Sequence, residues 1–263
     1  MASRPVILAA ALTLAAVSAG AGAPIAAPVL PSRVPAFRMG GGWISNLPLS
    51  AILSSGAVTP GRPPALTPPQ RIALTRYLAT LASMGPGTRP ELFPRREDVL
   101  AYLADAYLAW SIALREGGPA DAAHLLRVPF TLDGARWTLA RIATTLAVLA
   151  PEEPRLPLFL AGPGPLPPLP SAPLEPYSLQ WQLAEQARRA GAAPGFWTYD
   201  AATPAIRLPS LAGSLPGLPA DLKARARRLL DLAPPPPALA EAIRAGCGAD
   251  LARCQVSLGP PPA

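Results

Sequence analysis

Proline sets the tightest limit on what this chain can fold into. It accounts for 38 of the 263 residues. Each proline fixes φ at about −65° and removes a backbone donor, so it belongs to connections and to the ends of regular elements. With 21 glycines, proline makes up about 22 % of the chain, just below the roughly 25–30 % at which composition alone points to disorder. Half of the residues are hydrophobic. The expectation is a folded domain with a substantial core and many proline-rich connections.

The first residues, MASRPVILAAALTLAAVSAGAGAP, place Arg4 before an apolar run and then small residues. Val17-Ser18-Ala19 and Ala19-Gly20-Ala21 both fit the small-x-small cleavage rule. This reads as a signal peptide over residues 1–21, cleaved around 19–23, and too short for a spanning helix; an N-terminal membrane anchor is the alternative. No Cys follows the run, and no later segment holds 18 uninterrupted apolar residues. A periplasmic or secreted protein with no transmembrane span in its mature chain is expected. Cys247 and Cys254 are the only cysteines, and in an oxidising compartment two neighbouring cysteines pair. A redox motif would separate them by two residues rather than six, and a zinc site would need ligands that a single histidine cannot supply. Neither a metal nor another cofactor is expected.

The formal net charge is +7, which favours an acidic envelope component or a partner protein. Arg95-Arg96, Arg188-Arg189 and residues 225–228 are short basic groups within helical patterns. No aromatic residues interleave with them as a stacking platform for nucleic acid would require, so no nucleic-acid partner is expected.

Residues 22–48 read as an irregular Pro/Gly/Ala-rich segment, and residues 49–258 as one domain. Thr67 caps a helix carrying Ile72, Leu74, Tyr77, Leu78 and Leu81 on its apolar face. Residues 95–116 form the strongest helical pattern, and residues 119–126 a short helix. Asp133-Gly134 between apolar runs predicts a hairpin. A helix over 138–150 follows, then a buried strand over 156–160. Ser178 caps the next helix. A second hairpin pairs residues 196–199 with 205–208, and helices over 220–232 and 237–245 precede a Pro-rich tail at 259–263. This order lacks the regular alternation of a doubly wound sheet. The expected class is α+β: a single domain of several helices packed with a small sheet built from two hairpins and a central strand.

Residues that could carry chemistry are few. Gly162-Pro163-Gly164-Pro165 has too much proline to cradle a phosphate with backbone N–H groups. His124 is the lone histidine; it is either a base in an assembled triad or a capping or surface residue. Asp105 interrupts an apolar helix, with Asp98 two turns earlier on the same face. The two are either an acid/base pair or the wet side of the helix. Tyr107 lies beside them and is otherwise a core residue. The catalytic candidates are therefore Asp105, Tyr107 and His124.

The chain resembles the family called domain of unknown function 547 from about Leu49 to about Leu258. The family helix E-Q-L-A-F-W-I-N-L-Y-N-A is similar to the stretch running from Asp98 to Ala109. There Tyr107 matches the family Tyr, Asp105 replaces the first Asn and Leu108 the second. The family's L-S-L-D-D-I-E-H-G block is similar to the segment from Trp137 to Thr145, with Ala143-Thr144 in place of Glu-His. Its Ser-Cys-Pro-Pro-Leu loop and Pro-x-x-Tyr correspond to Pro167-Pro168-Leu169 and Pro176-Tyr177, without the cysteines. The resemblance implies a fold whose other members present Cys near His, as a thiol enzyme does. A thiolate nucleophile needs Cys and a group that lowers its pKa, and both are missing here. The expectation is a non-catalytic binding member with a degenerate active site. An enzyme with a rebuilt site and an envelope assembly or structural protein are the alternatives.

Overall fold

The computed structural model describes residues 44–59, 62–116, 122–160 and 168–259. The signal-peptide segment, most of the irregular segment after it, the Gly162–Pro165 stretch and the last residues of the tail lie outside them. The architecture is α+β, as the element order predicts. Among the described residues, those from 44 to 190 form one compact unit, and those from 191 to 259 belong to a second.

The first unit contains helices α1 (Leu47–Ser54), α2 (Pro68–Ser83), α3 (Arg96–Glu116) and α4 (Ala122–Leu125), then strands β1 (Phe130–Leu132) and β2 (Ala135–Trp137). Helices α5 (Leu139–Leu149), α6 (Leu156–Phe159) and α7 (Leu179–Ala192), whose last two residues belong to the second unit, follow. A capping box between Thr67 and Gln70 starts α2, satisfying two backbone donors reciprocally. Helix α3 is the centre: every residue from Val99 to Ala109 is buried. It packs against α2, α4 and α5. A helix buried on all sides belongs to the core rather than to the surface.

The first hairpin forms as its Asp-Gly signal predicts, with Phe130 opposite Trp137 and Leu132 opposite Ala135. Asp133 and Gly134 take φ of 53° and 68°, the left-handed pair that a tight two-residue turn demands. The Asp133 carboxylate accepts from the backbone of Gly87 and Thr88 and from the Thr88 hydroxyl. The Asp133 and Gly134 amides donate to Leu81 and Ala82. The turn is thus fastened to the C-terminal end of α2.

Two expectations fail here. Residues 156–160 are not a strand: Leu156–Phe159 make a helical turn with proline in its first positions. Pro157 explains this, because a fixed φ and a missing N–H suit the start of a helix and break a central ladder. There is consequently no single sheet of two hairpins around a central strand. The described residues form a two-stranded sheet and a separate three-stranded one. Residues 47–54, read as the end of an irregular segment and the start of the domain, are helical.

The second unit holds β3 (Thr198–Asp200), β4 (Ala205–Pro209), α8 (Leu211–Ser214), α9 (Leu222–Leu232), α10 (Pro237–Cys247) and β5 (Gln255–Gly259). β3 and β4 are the expected second hairpin. β5, a strand the sequence does not predict at the end of the 49–258 domain, pairs parallel to β4 with Ile206 beside Val256 and Leu208 beside Leu258. Cys247 and Cys254 are joined, with their Cα atoms 4.9 Å apart, so the last turn of α10 is tied to the residue preceding β5. Buried Arg225 donates to the carbonyls of Ala212, Gly213 and Pro219. Trp197 Nε1 donates to the Ala233 carbonyl at 2.8 Å. A Cβ placed on Gly191 would collide with that same carbonyl. Gly191→Ala should therefore cost about 2 kcal/mol, the usual penalty for overpacking, measured as a lower urea midpoint with an unchanged slope.

Candidate functional site

Asp105 is the one polar residue that the sequence places in the middle of α3, and it is 2 % exposed. The alternative of a wet helix face is therefore excluded at this position. Asp98, two turns earlier, is instead engaged by the Arg95 guanidinium and the Arg95 amide at the start of the helix. The two carboxylates do not form an acid/base pair in one site.

Two elements reach Asp105 directly, and a third is joined to it through Asn46. Asn46, at the N-cap of α1, donates through Nδ2 to Asp105 Oδ2 at 2.9 Å. The Leu174 backbone N–H donates to Asp105 Oδ1 at 2.8 Å. The Tyr77 hydroxyl of α2 donates to Asn46 Oδ1 at 2.7 Å. Asn46 does not cap its own helix by a side-chain hydrogen bond, because both ends of its amide are used between Tyr77 and Asp105. Each carboxylate oxygen of Asp105 thus has a fixed donor, and two distant segments meet on one side chain, with Tyr77 linked through Asn46.

Burial pushes the Asp105 carboxyl well above the ordinary aspartate range. The Glu175 charge pushes the same way, and the bonds from Leu174 and Asn46 oppose it. Burial also raises the Tyr77 hydroxyl, with the Asp105 charge adding to the effect. A phenol and a carboxyl shifted in this direction hold their protons more tightly, which is the opposite of an activated nucleophile.

The three catalytic candidates do not converge. Asp105 and Tyr107 leave α3 roughly 200° apart, since a helix turns about 100° per residue. Tyr107 is a buried core residue, and burial pushes its hydroxyl up to about 12. His124 is exposed on α4, matching the surface alternative. Among the described residues no group of three or more His, Cys, Asp or Glu side chains is placed to hold a metal ion. No helix among them is long and apolar enough to cross a membrane.

The segment that Asp105 holds is pinned from its other side as well. Gln182 of α7 accepts from the Glu175 amide at 2.6 Å and from the Ser178 hydroxyl at 3.2 Å. It also donates to the Pro173 carbonyl at 2.7 Å. Residues 173–178 are thereby fastened to α3 through Leu174 and to α7 through Gln182. The fastened segment presents Tyr177, and the first turn of α7 presents Trp181, at 77 % and 65 % exposure. The sequence reading singled out neither aromatic for a site, although Tyr177 stood among the family-like residues. Asn46, which donates to Asp105, and Tyr77, which donates to Asn46, carry no sequence signal linking them to Asp105. No local pattern announces them, because they lie 59 and 28 residues from Asp105 in the chain. No family model, curated protein or solved structure matches this chain.

Proposed function

We propose that this protein is a secreted or periplasmic, non-catalytic binding protein that resembles the domain of unknown function 547 family and has lost its thiol chemistry. Its binding loop is residues 173–178, and its partner is a component of the cell envelope. The observation that carries this reading is the closed hydrogen-bond set around Asp105. The polar residue at the position where the family helix has Asn is spent on holding a loop, buried from solvent with a protein donor on each oxygen. The missing Cys and Glu-His residues point the same way, as does the failure of Asp105, Tyr107 and His124 to share a face. The signal-like N-terminus and the Cys247–Cys254 pair support an extracytoplasmic location.

The test is to recover the tagged protein from its native envelope fraction, identify what accompanies it, and assay the purified protein for ester, thioester and peptide hydrolysis. The expected result is an envelope component that rebinds the purified protein, with no turnover. Hydrolysis that disappears in a fully folded Asp105→Asn variant would overturn the reading in favour of a rebuilt enzyme.

A further inference from the structure

The N-terminal end of α7 carries two large aromatic side chains that the fold leaves in solvent. Tyr177 precedes the helix and Trp181 lies in its first turn, four residues on. Arg95 lies over one face of the Tyr177 ring, with its guanidinium carbon 4.0 Å from the centroid. That contact fixes the ring and leaves its opposite face open. Arg95 is itself held by both oxygens of Asp98. Between the two aromatics in sequence, Gln180 receives a hydrogen bond from Arg155, which is forked onto Glu153. One turn beyond Trp181, Glu185 pairs with Arg188. Gln182 locks the Tyr177 segment to the helix.

The charge pattern selects the occupant. The whole chain is basic, but Arg95, Arg155 and Arg188 each already have a carboxylate of their own. Glu175 adds a further negative charge beside Tyr177. The patch therefore offers open aromatic faces and neutralised, polar ion pairs rather than free cations. A polyanion would find Arg95, Arg155 and Arg188 already paired with carboxylates here. A neutral pyranose chain fits: its axial C–H bonds are partially positive and stack on the negative face of an aromatic ring. Its hydroxyls can bond the ordered carboxylate, guanidinium and amide edges beside the rings. Rigid aromatics supply this contact area at low conformational cost.

We propose that Tyr177 and Trp181, braced by Arg95, form a binding platform for a neutral polysaccharide chain. This rests on the non-catalytic binding reading and names its ligand class. The experiment is isothermal titration of the full protein with neutral saccharides: a β-1,4-linked N-acetylglucosamine hexamer, cellohexaose, a soluble β-1,3-glucan and dextran. Heparin and equimolar phosphatidylcholine–phosphatidylglycerol vesicles are titrated beside them. At least one neutral saccharide should bind, with an affinity that does not fall as salt is raised, because no ion pairing drives it. Trp181→Ala and Tyr177→Ala should each weaken that binding roughly tenfold or more, as central aromatic contacts do. Trp181→Phe should retain most of it, and all three should melt like the parent because the side chains are exposed.

Binding to none of the neutral saccharides, binding that survives Trp181→Ala, or binding only to heparin or vesicles would overturn the proposal. The underlying reading fails separately. Hydrolysis of a bound saccharide would end the non-catalytic reading and leave the platform standing. Retention of an envelope protein without saccharide binding would do the reverse.

Discussion

Replacing Asp105 with Leu should destabilise the protein by about 3 kcal/mol, whereas Asp105→Asn should cost no more than about 1 kcal/mol. Leucine has the same branched heavy-atom shape, though it is larger, and it accepts nothing. The Leu174 N–H and the Asn46 Nδ2 group, both directed at Asp105, would be left buried without an acceptor. An unpaired buried donor costs about 1–3 kcal/mol, and two are created at once. Asparagine keeps an oxygen for Leu174. Its amide nitrogen meets Asn46, which can turn its own amide so that Tyr77 accepts instead of donating. One hydrogen bond is weakened, and the segment stays in place. Urea unfolding of the two variants distinguishes these outcomes, and equal losses would remove Asp105 from its structural role.

The same carboxyl makes stability depend on pH in a definite direction. Its pKa is raised in the folded protein, so between the unfolded and folded values the native state binds more protons than the unfolded chain. The contribution is fully present below the unfolded pKa and is lost as pH rises through the folded one. Parent stability should therefore fall across that window relative to Asp105→Asn, which has no proton to release. Parallel stability–pH curves for the two proteins would contradict the burial argument.

Removing the disulfide should have a comparably large effect, confined to the other end of the chain. Cys247 and Cys254 close a short loop with a sequence separation of 7, and the chain-entropy relation gives about 2.5 kcal/mol for a loop of this size. The bond tethers the residue that precedes β5, and β5 pairs only with β4 among the described strands. A Cys247→Ser/Cys254→Ser protein should lose about that much stability. Its amide exchange should accelerate first in Gln255–Gly259 and in its β4 partners. Uniform acceleration through α2 and α3 would instead mean that the disulfide supports the first unit.

The parts of this fold legible in sequence are those set by local rules. Thr67 before its prolines, Asp133-Gly134 and the apolar run of α3 each carry their own geometry, and each element stands where those signals put it. The misreadings share a different cause. The apolar residues of 156–160 suggested a strand, but Pro157 outweighs them. The two apolar residues of Gln255–Gly259 are too few to declare a strand, which exists only because β4 offers an edge. Asp105 stood out because an acid within an apolar helix is conspicuous. Its meaning depended on Asn46 and Leu174, supplied by chain folding rather than spacing. Tyr177 stands in the sequence only as a family-like residue and Trp181 only within the helix that Ser178 opens; nothing local to either announces an exposed ring.

The central claim is that Asp105 supports a binding loop and does no chemistry. It is tested most directly by titrating the neutral saccharide that the parent binds into fully folded Asp105→Asn protein, with turnover followed in the same samples. The account predicts the parent's affinity and no turnover in either protein. A folded Asp105→Asn variant that binds normally but abolishes a turnover seen in the parent would contradict it.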